Sequence, residues 1–359
     1  ARALHPAFER TVPGMPLDDS RPLPAGKLPN ELLDRFLKAM DCTDPSVLVG
    51  PRVGEDVAAV SLAGEDTLVL KSDPITFATD AVGYYAMVVN ANDLATSGAR
   101  PRWMLATLLF PPGTLPGRVR QVMLELQQAA SQFGVSLCGG HTEITDAVTR
   151  PVVVGQLAGT VSRSRLIDKR KMRAGDQVLL TKGAAVEGTA LIAREFAPRL
   201  LELGLRQEEV EQCRRFLTDP GISIVREAGI AADCKEVRAL HDVTEGGVAT
   251  ALRELGAAGG HRLRVYPGRI PVFGPTARIC KLLDLHPLGL IGSGSLLIAC
   301  GPEGSPGLSE DLHEAGIPVA CIGEVLKEGS GVEALQREGG RPAPWPAFET
   351  DEIARLYSQ

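Results

Sequence analysis

Gly139-Gly140-His141-Thr142-Glu143 sits between two apolar runs, Val135-Ser136-Leu137-Cys138 and Pro151-Val152-Val153-Val154. Paired glycines let a backbone turn and come close to a ligand. The segment predicts a turn at a strand end that displays a His, a Thr and a Glu. Three further acid-bearing turns occur upstream: Gly54-Glu55-Asp56, Lys71-Ser72-Asp73 and Asn90-Ala91-Asn92-Asp93. A fifth element, His241-Asp242-Val243-Thr244-Glu245-Gly246-Gly247, follows about a hundred residues later.

The 359 residues suffice for roughly two domains. With 44% hydrophobic and 23% charged residues, the chain can bury a core. A net charge of −6 without a long basic run argues against a nucleic-acid partner. No apolar run approaches the roughly 18 residues of a membrane span, and no signal-peptide core is present, so a cytoplasmic location is expected. The seven cysteines show no Cys-x-x-Cys pairing and are odd in number. Buried reduced thiols are expected rather than a zinc site or disulfides. Cys138 is read as a strand-end core residue, with a nucleophile as the alternative.

Residues 1–26 hold prolines without periodicity and read as an extended arm. Leu32, Leu33, Phe36, Leu37 and Met40 predict a helix over 28–40. Residues 27–165 read as one unit. Strands are expected at 57–60, 67–70, 103–110, 135–138 and 151–161, and helices at 80–97 and 117–133, giving an α+β unit with a mixed sheet. Residues 162–175 carry six basic residues and read as a solvated connection. Residues 166–359 form a second unit in which helices and strands alternate, an α/β domain.

Asp56, Asp73 and Asp93 stand beside small residues at strand ends or turns. Converging carboxylates suit Mg²⁺ with a nucleotide; the alternative is that each caps a turn. Gly54 fits a tight turn. Gly246-Gly247 opens a helix whose free N–H groups could receive an anion. Neither a P-loop nor a Gly-x-Gly-x-x-Gly fingerprint is present. His141 and His241 are candidate acid–base or ligand groups. Lys27 could reach a phosphate, or could be a solvated lysine.

Together these elements resemble the AIR synthase (PurM-like) superfamily. Gly54–Val60 is similar to its acidic strand start, Lys71-Ser72-Asp73 to its second acidic strand end, Val89–Pro101 to its Asn-Asp helix, and Gly139–Thr142 to its Gly-Gly turn. Within the superfamily, His241–Gly247 and Ser293–Ala299 are most similar to the hydrogenase maturation protein HypE. The resemblance implies a two-domain α+β/α/β fold whose N-terminal domains share a β-barrel in a homodimer. It implies ATP and Mg²⁺ near the acidic turns, with Asp56, Asp73 and Asp93 on the metal. It also implies cofactor contacts from Lys27, Gly54, Asn92, Gly139, Gly140, Thr142, Gly246 and Gly247, and catalysis by His141, His241 and Asp242. HypE carries its substrate group on a C-terminal cysteine. This sequence ends Leu356-Tyr357-Ser358-Gln359, and Glu245 stands where HypE has a basic residue.

The resemblance therefore implies a HypE-like enzyme that uses ATP to activate a small amide- or carbonyl-type substrate. The alternatives are a kinase of the thiamine monophosphate kinase type and a non-catalytic maturation partner. Clustered carboxylates argue against the last, because a scaffold has no need of them.

Overall fold

The computed structural model describes Asn30, Glu31, Asp34 and residues 45–50, 52–62 and 66–357. The expected N-terminal arm, Lys27, most of the expected first helix and Cys42 lie outside these residues.

Two six-stranded sheets organise the described residues. The first contains β1 (Val47–Val49), β2 (Ala58–Ser61), β3 (Asp66–Ile75), β4 (Arg100–Phe110), β5 (Ser136–Ile144) and β6 (Val152–Ser162). Their order is β1-β2-β3-β6-β4-β5, antiparallel except for the β4–β5 pair. The second contains β7 (Gln177–Thr181), β8 (Val237–Asp242), β9 (His261–Val265), β10 (Leu296–Cys300), β11 (Val319–Glu328) and β12 (Val332–Ala334). Their order is β12-β9-β11-β7-β10-β8, and only β12 runs parallel to its neighbour. With helices packed on each sheet, this is a two-domain α/β fold. No helix among the described residues is long and apolar enough to cross a membrane.

Side-chain alternation sets the faces of the first sheet. Met104, Ala106, Leu108 and Phe110 of β4 are buried, whereas Trp103 and Leu105 are 39% and 44% exposed on the opposite face. The helices Val82–Ala95 and Pro116–Gln132 belong to the same core. Every residue of Val82–Ala95 except Tyr84 is buried. Its small and apolar side chains let it wedge between the first sheet, the second helix and the second domain.

Gly139–Glu143 is not a turn after a strand. It lies inside β5, an edge strand exposed along its whole length. A Cβ on Gly140 would stand 1.9 Å from the Ala106 carbonyl, so the glycine permits the close pairing of β4 and β5. Cys138 is exposed on the same strand, not in the core. The connection 162–175 is only partly solvated. It folds into short turns at Arg163–Arg165 and Lys169–Lys171, and Lys169 is buried.

Candidate active site

A cleft of about 850 Å³ opens where the end of β3, the loop 52–57 and the end of β8 meet. Along β3, Thr67 and Val69 face the core. Lys71 and Asp73 continue that face by the two-residue repeat and emerge beyond the core into the cleft. Asp93 reaches it from the last turn of Val82–Ala95. The loop carrying Asp56 lies on the helix Gly247–Gly259. This is possible because Gly54 has φ +81° and a Cβ there would meet the Glu254 carbonyl at 2.2 Å.

Oppositely charged groups interleave at the base. Lys169 Nζ donates to Asp56 Oδ2 at 2.6 Å. His241 Nδ1 lies 2.9 Å from the same carboxylate, and its Nε2 lies 3.3 Å from Glu254 Oε2. Lys71 Nζ is 3.1 Å from Asp93 Oδ2 and 3.6 Å from Asp73 Oδ2. Burial opposes the charge on Asp56, but His241 and Lys169 outweigh it and hold the carboxyl well below its usual range. Burial would neutralise His241 too; Asp56 reverses this and raises the imidazole to about 9. At neutral pH His241 is therefore a cation donating to two carboxylates, not a free base.

Asp242 and Asp93 behave differently. Burial, then the neighbouring charge of Asp56, raises Asp242 to about 6. Burial, then Asp242, raises Asp93 well above the usual carboxylate range. Both oxygens of Asp242 are buried without a hydrogen-bond partner, whereas Oδ2 of Asp93 is buried against the Lys71 ammonium. Buried carboxylate oxygens left unpaired are costly. A hard divalent cation takes such oxygens, so the residues present fit Mg²⁺. Ligand atoms of Asp56, His241 and Asp242 fall within 4.8 Å of one another.

Asp56, Asp73, Asp93, Gly54 and His241 thus line one cleft, with Asp242 directly behind them. His141, Gly139, Gly140 and Thr142 do not join them. They line a separate shallow groove of about 250 Å³ beside β4, and His141 pairs with Glu143 at 3.4 Å. Asn92, expected to contact a cofactor, serves the fold instead. Its amide donates to the Ile222 carbonyl and accepts from the Ile224 N–H, each at 2.8 Å. The anion site expected at Gly246-Gly247 is already engaged, since Asp351 Oδ2 accepts the Gly246 N–H at 2.6 Å and the Gly247 N–H bonds the Thr244 carbonyl.

Sequence reasoning missed Lys71, Lys169 and Glu254 as site residues. Lys71 was legible, because it shares a strand face with Asp73. Lys169 was hidden among basic neighbours. At the far mouth, Tyr357 packs on Phe77 and donates to its carbonyl at 3.0 Å, with Arg150 over the tyrosine ring.

The family model for the AIR synthase related protein N-terminal domain matches residues 54–161, and that for the C-terminal domain matches 173–335. Carbamoyl dehydratase HypE of Escherichia coli (strain K12) is 28% identical over 290 residues, covering 76% of this chain and 81% of its own. Carbamoyl dehydratase HypE of Cupriavidus necator is 25% identical over 287 residues, covering 77% and 78%. Among solved structures, a HypE–HypF complex superposes with TM-score 0.69 at 19% identity, covering 85% of this chain and 97% of that one. Hydrogenase maturation protein HypE in complex with ATP gives TM-score 0.64 at 22% identity, covering 83% and 91%. At these identities the structural likeness concerns the fold.

Proposed function

The chain belongs to the AIR synthase related protein family, and from that premise we propose that it is a HypE-like, ATP- and Mg²⁺-dependent enzyme that transfers phosphate to the oxygen of a small amide- or carbonyl-type substrate. The observation that carries this reading is the convergence of Asp56, Asp73, Asp93 and Asp242 around Lys71, Lys169 and His241. Phosphoryl transfer needs positioning and charge neutralisation more than a protein nucleophile.

Asp56, Asp73 and Asp93 would hold Mg²⁺, which when bound neutralises phosphate charge. Lys71, kept protonated because Asp93 and Asp73 outweigh its burial, offers a further positive group beside the transferred phosphate. His241 and Lys169 hold Asp56 in place. Asp242 stands directly behind these carboxylates, and the same cation would relieve its unpaired buried oxygens. A cytoplasmic homodimer, with a maturation-protein partner, completes the proposal. HypE is solved with HypF, which supports the partner.

The test is ATP turnover with Mg²⁺ against a panel of primary amides, thioamides and carbamoyl compounds. Turnover stimulated by one class and abolished by EDTA is expected. Failure to bind any adenine nucleotide with Mg²⁺ would overturn the reading.

A further inference from the structure

The cleft has a second acidic end. Glu187, in the first turn of the helix Val186–Glu195, lines the cleft and is only 5% exposed. Ser293 bonds its carboxyl through hydroxyl and backbone, yet Oε2 has no hydrogen-bond partner. The strongest charges acting on Glu187 come from Asp351 and Glu245, both acids. A buried carboxylate without a counter-cation is costly, and a cationic ligand would supply one. Phe77 and Tyr357 give the same cleft aromatic walls.

We propose that this end of the cleft binds a cationic nitrogen, a protonated amine or amidine, carried by the small-molecule substrate. Its N–H groups donate to the Glu187 carboxyl, and its apolar portion lies against Phe77 and Tyr357. The proposal names a substrate class for the site above and rests on that reading.

Fluorine NMR titration of the nucleotide-free full chain tests it, with fluorobenzylammonium chloride and the neutral fluorobenzyl alcohol as probes. At a pH above 7, where Glu187 is ionised, the ammonium is expected to bind about tenfold more tightly than the alcohol. Glu187→Gln should remove that preference and leave the alcohol unchanged. Equal affinity of the two probes for the unaltered protein overturns the proposal, even if the variant does not fold. An ammonium affinity unchanged in a folded Glu187→Gln variant also overturns it, because the carboxylate charge then plays no part in binding. Nucleotide binding is measured separately on the same samples, so loss of the ATP-dependent reading is told apart from loss of this one.

Discussion

Lys169 and Asp56 stand 113 positions apart in the chain and 2.6 Å apart in space. Breaking a buried ion pair from one side leaves an uncompensated charge. In Lys169→Met, Asp56 keeps His241, so a loss of about 2–3 kcal/mol is expected in EDTA. Millimolar Mg²⁺ should restore part of that stability, because a cation bound at Asp56 would replace the ammonium. Thermal melts with and without Mg²⁺ read both effects. A loss that Mg²⁺ cannot relieve would remove Asp56 from the metal set.

Asp56→Asn and Asp93→Asn should each lower Mg²⁺-dependent ATP turnover by about 10²–10³-fold, the scale of one preorganised electrostatic contact. Circular dichroism should remain native. Full turnover in both variants would leave the carboxylates without a catalytic role.

Glu187 starts from 4.5 and is lifted to about 7, first by burial and then by Asp351 and Glu245 against the pull of Ser293. An acid raised in this way holds its proton more tightly when folded. Its contribution is therefore fully present below 4.5 and is lost as pH rises through about 7. Glu187→Gln should flatten that decline by about 3 kcal/mol. Urea unfolding on either side of the window measures it, and parallel curves for the two proteins would contradict it.

The outward face of the first sheet exposes Leu70, Trp103 and Leu105 at 40%, 39% and 44%. Apolar side chains grouped on a sheet face favour pairing with another surface. A homodimer is expected, and Leu105→Asp should shift it to monomer in analytical ultracentrifugation. A monomeric mass for the unaltered chain at micromolar concentration would count against the shared barrel.

Burial raises the Cys213, Cys280 and Cys300 thiols to about 11, 12 and 12, which leaves them poor nucleophiles. Cys138 is exposed but fixed in β5. Incubation with carbamoyl phosphate, ATP and a carbamoyl-transferring protein is expected to leave no carbamoyl or cyano group on any cysteine. Intact-mass spectrometry decides the matter. An ATP-dependent adduct would place this chain with HypE in carrying its own substrate group.

Elements with a strong hydrophobic repeat were legible in the sequence. The helix expected at 117–133 is Pro116–Gln132, and the one at 80–97 is Val82–Ala95. Three-residue strands such as β1 and β12 leave too short a pattern to register. Position β5 was misjudged because an exposed edge strand lacks the alternation that marks a half-buried one. Acidic turns pointed to the cleft because charge beside glycine is a local signal. The partners of those acids were invisible: Glu254 reaches His241 from a helix, and Lys169 arrives from within the connection between the two units. Such pairings exist only after folding.

Asn92 has a consequence for how this protein can be divided. Its side chain completes the main-chain bonding of Ile222 and Ile224, which lie in the other half of the molecule. The helix that carries it is thus structural property of both halves. A break within 163–175 would strand a buried amide in one fragment and two unsatisfied backbone groups in the other. Neither piece would be a self-sufficient module. A swap of one half for that of a relative must carry the matching asparagine contact with it.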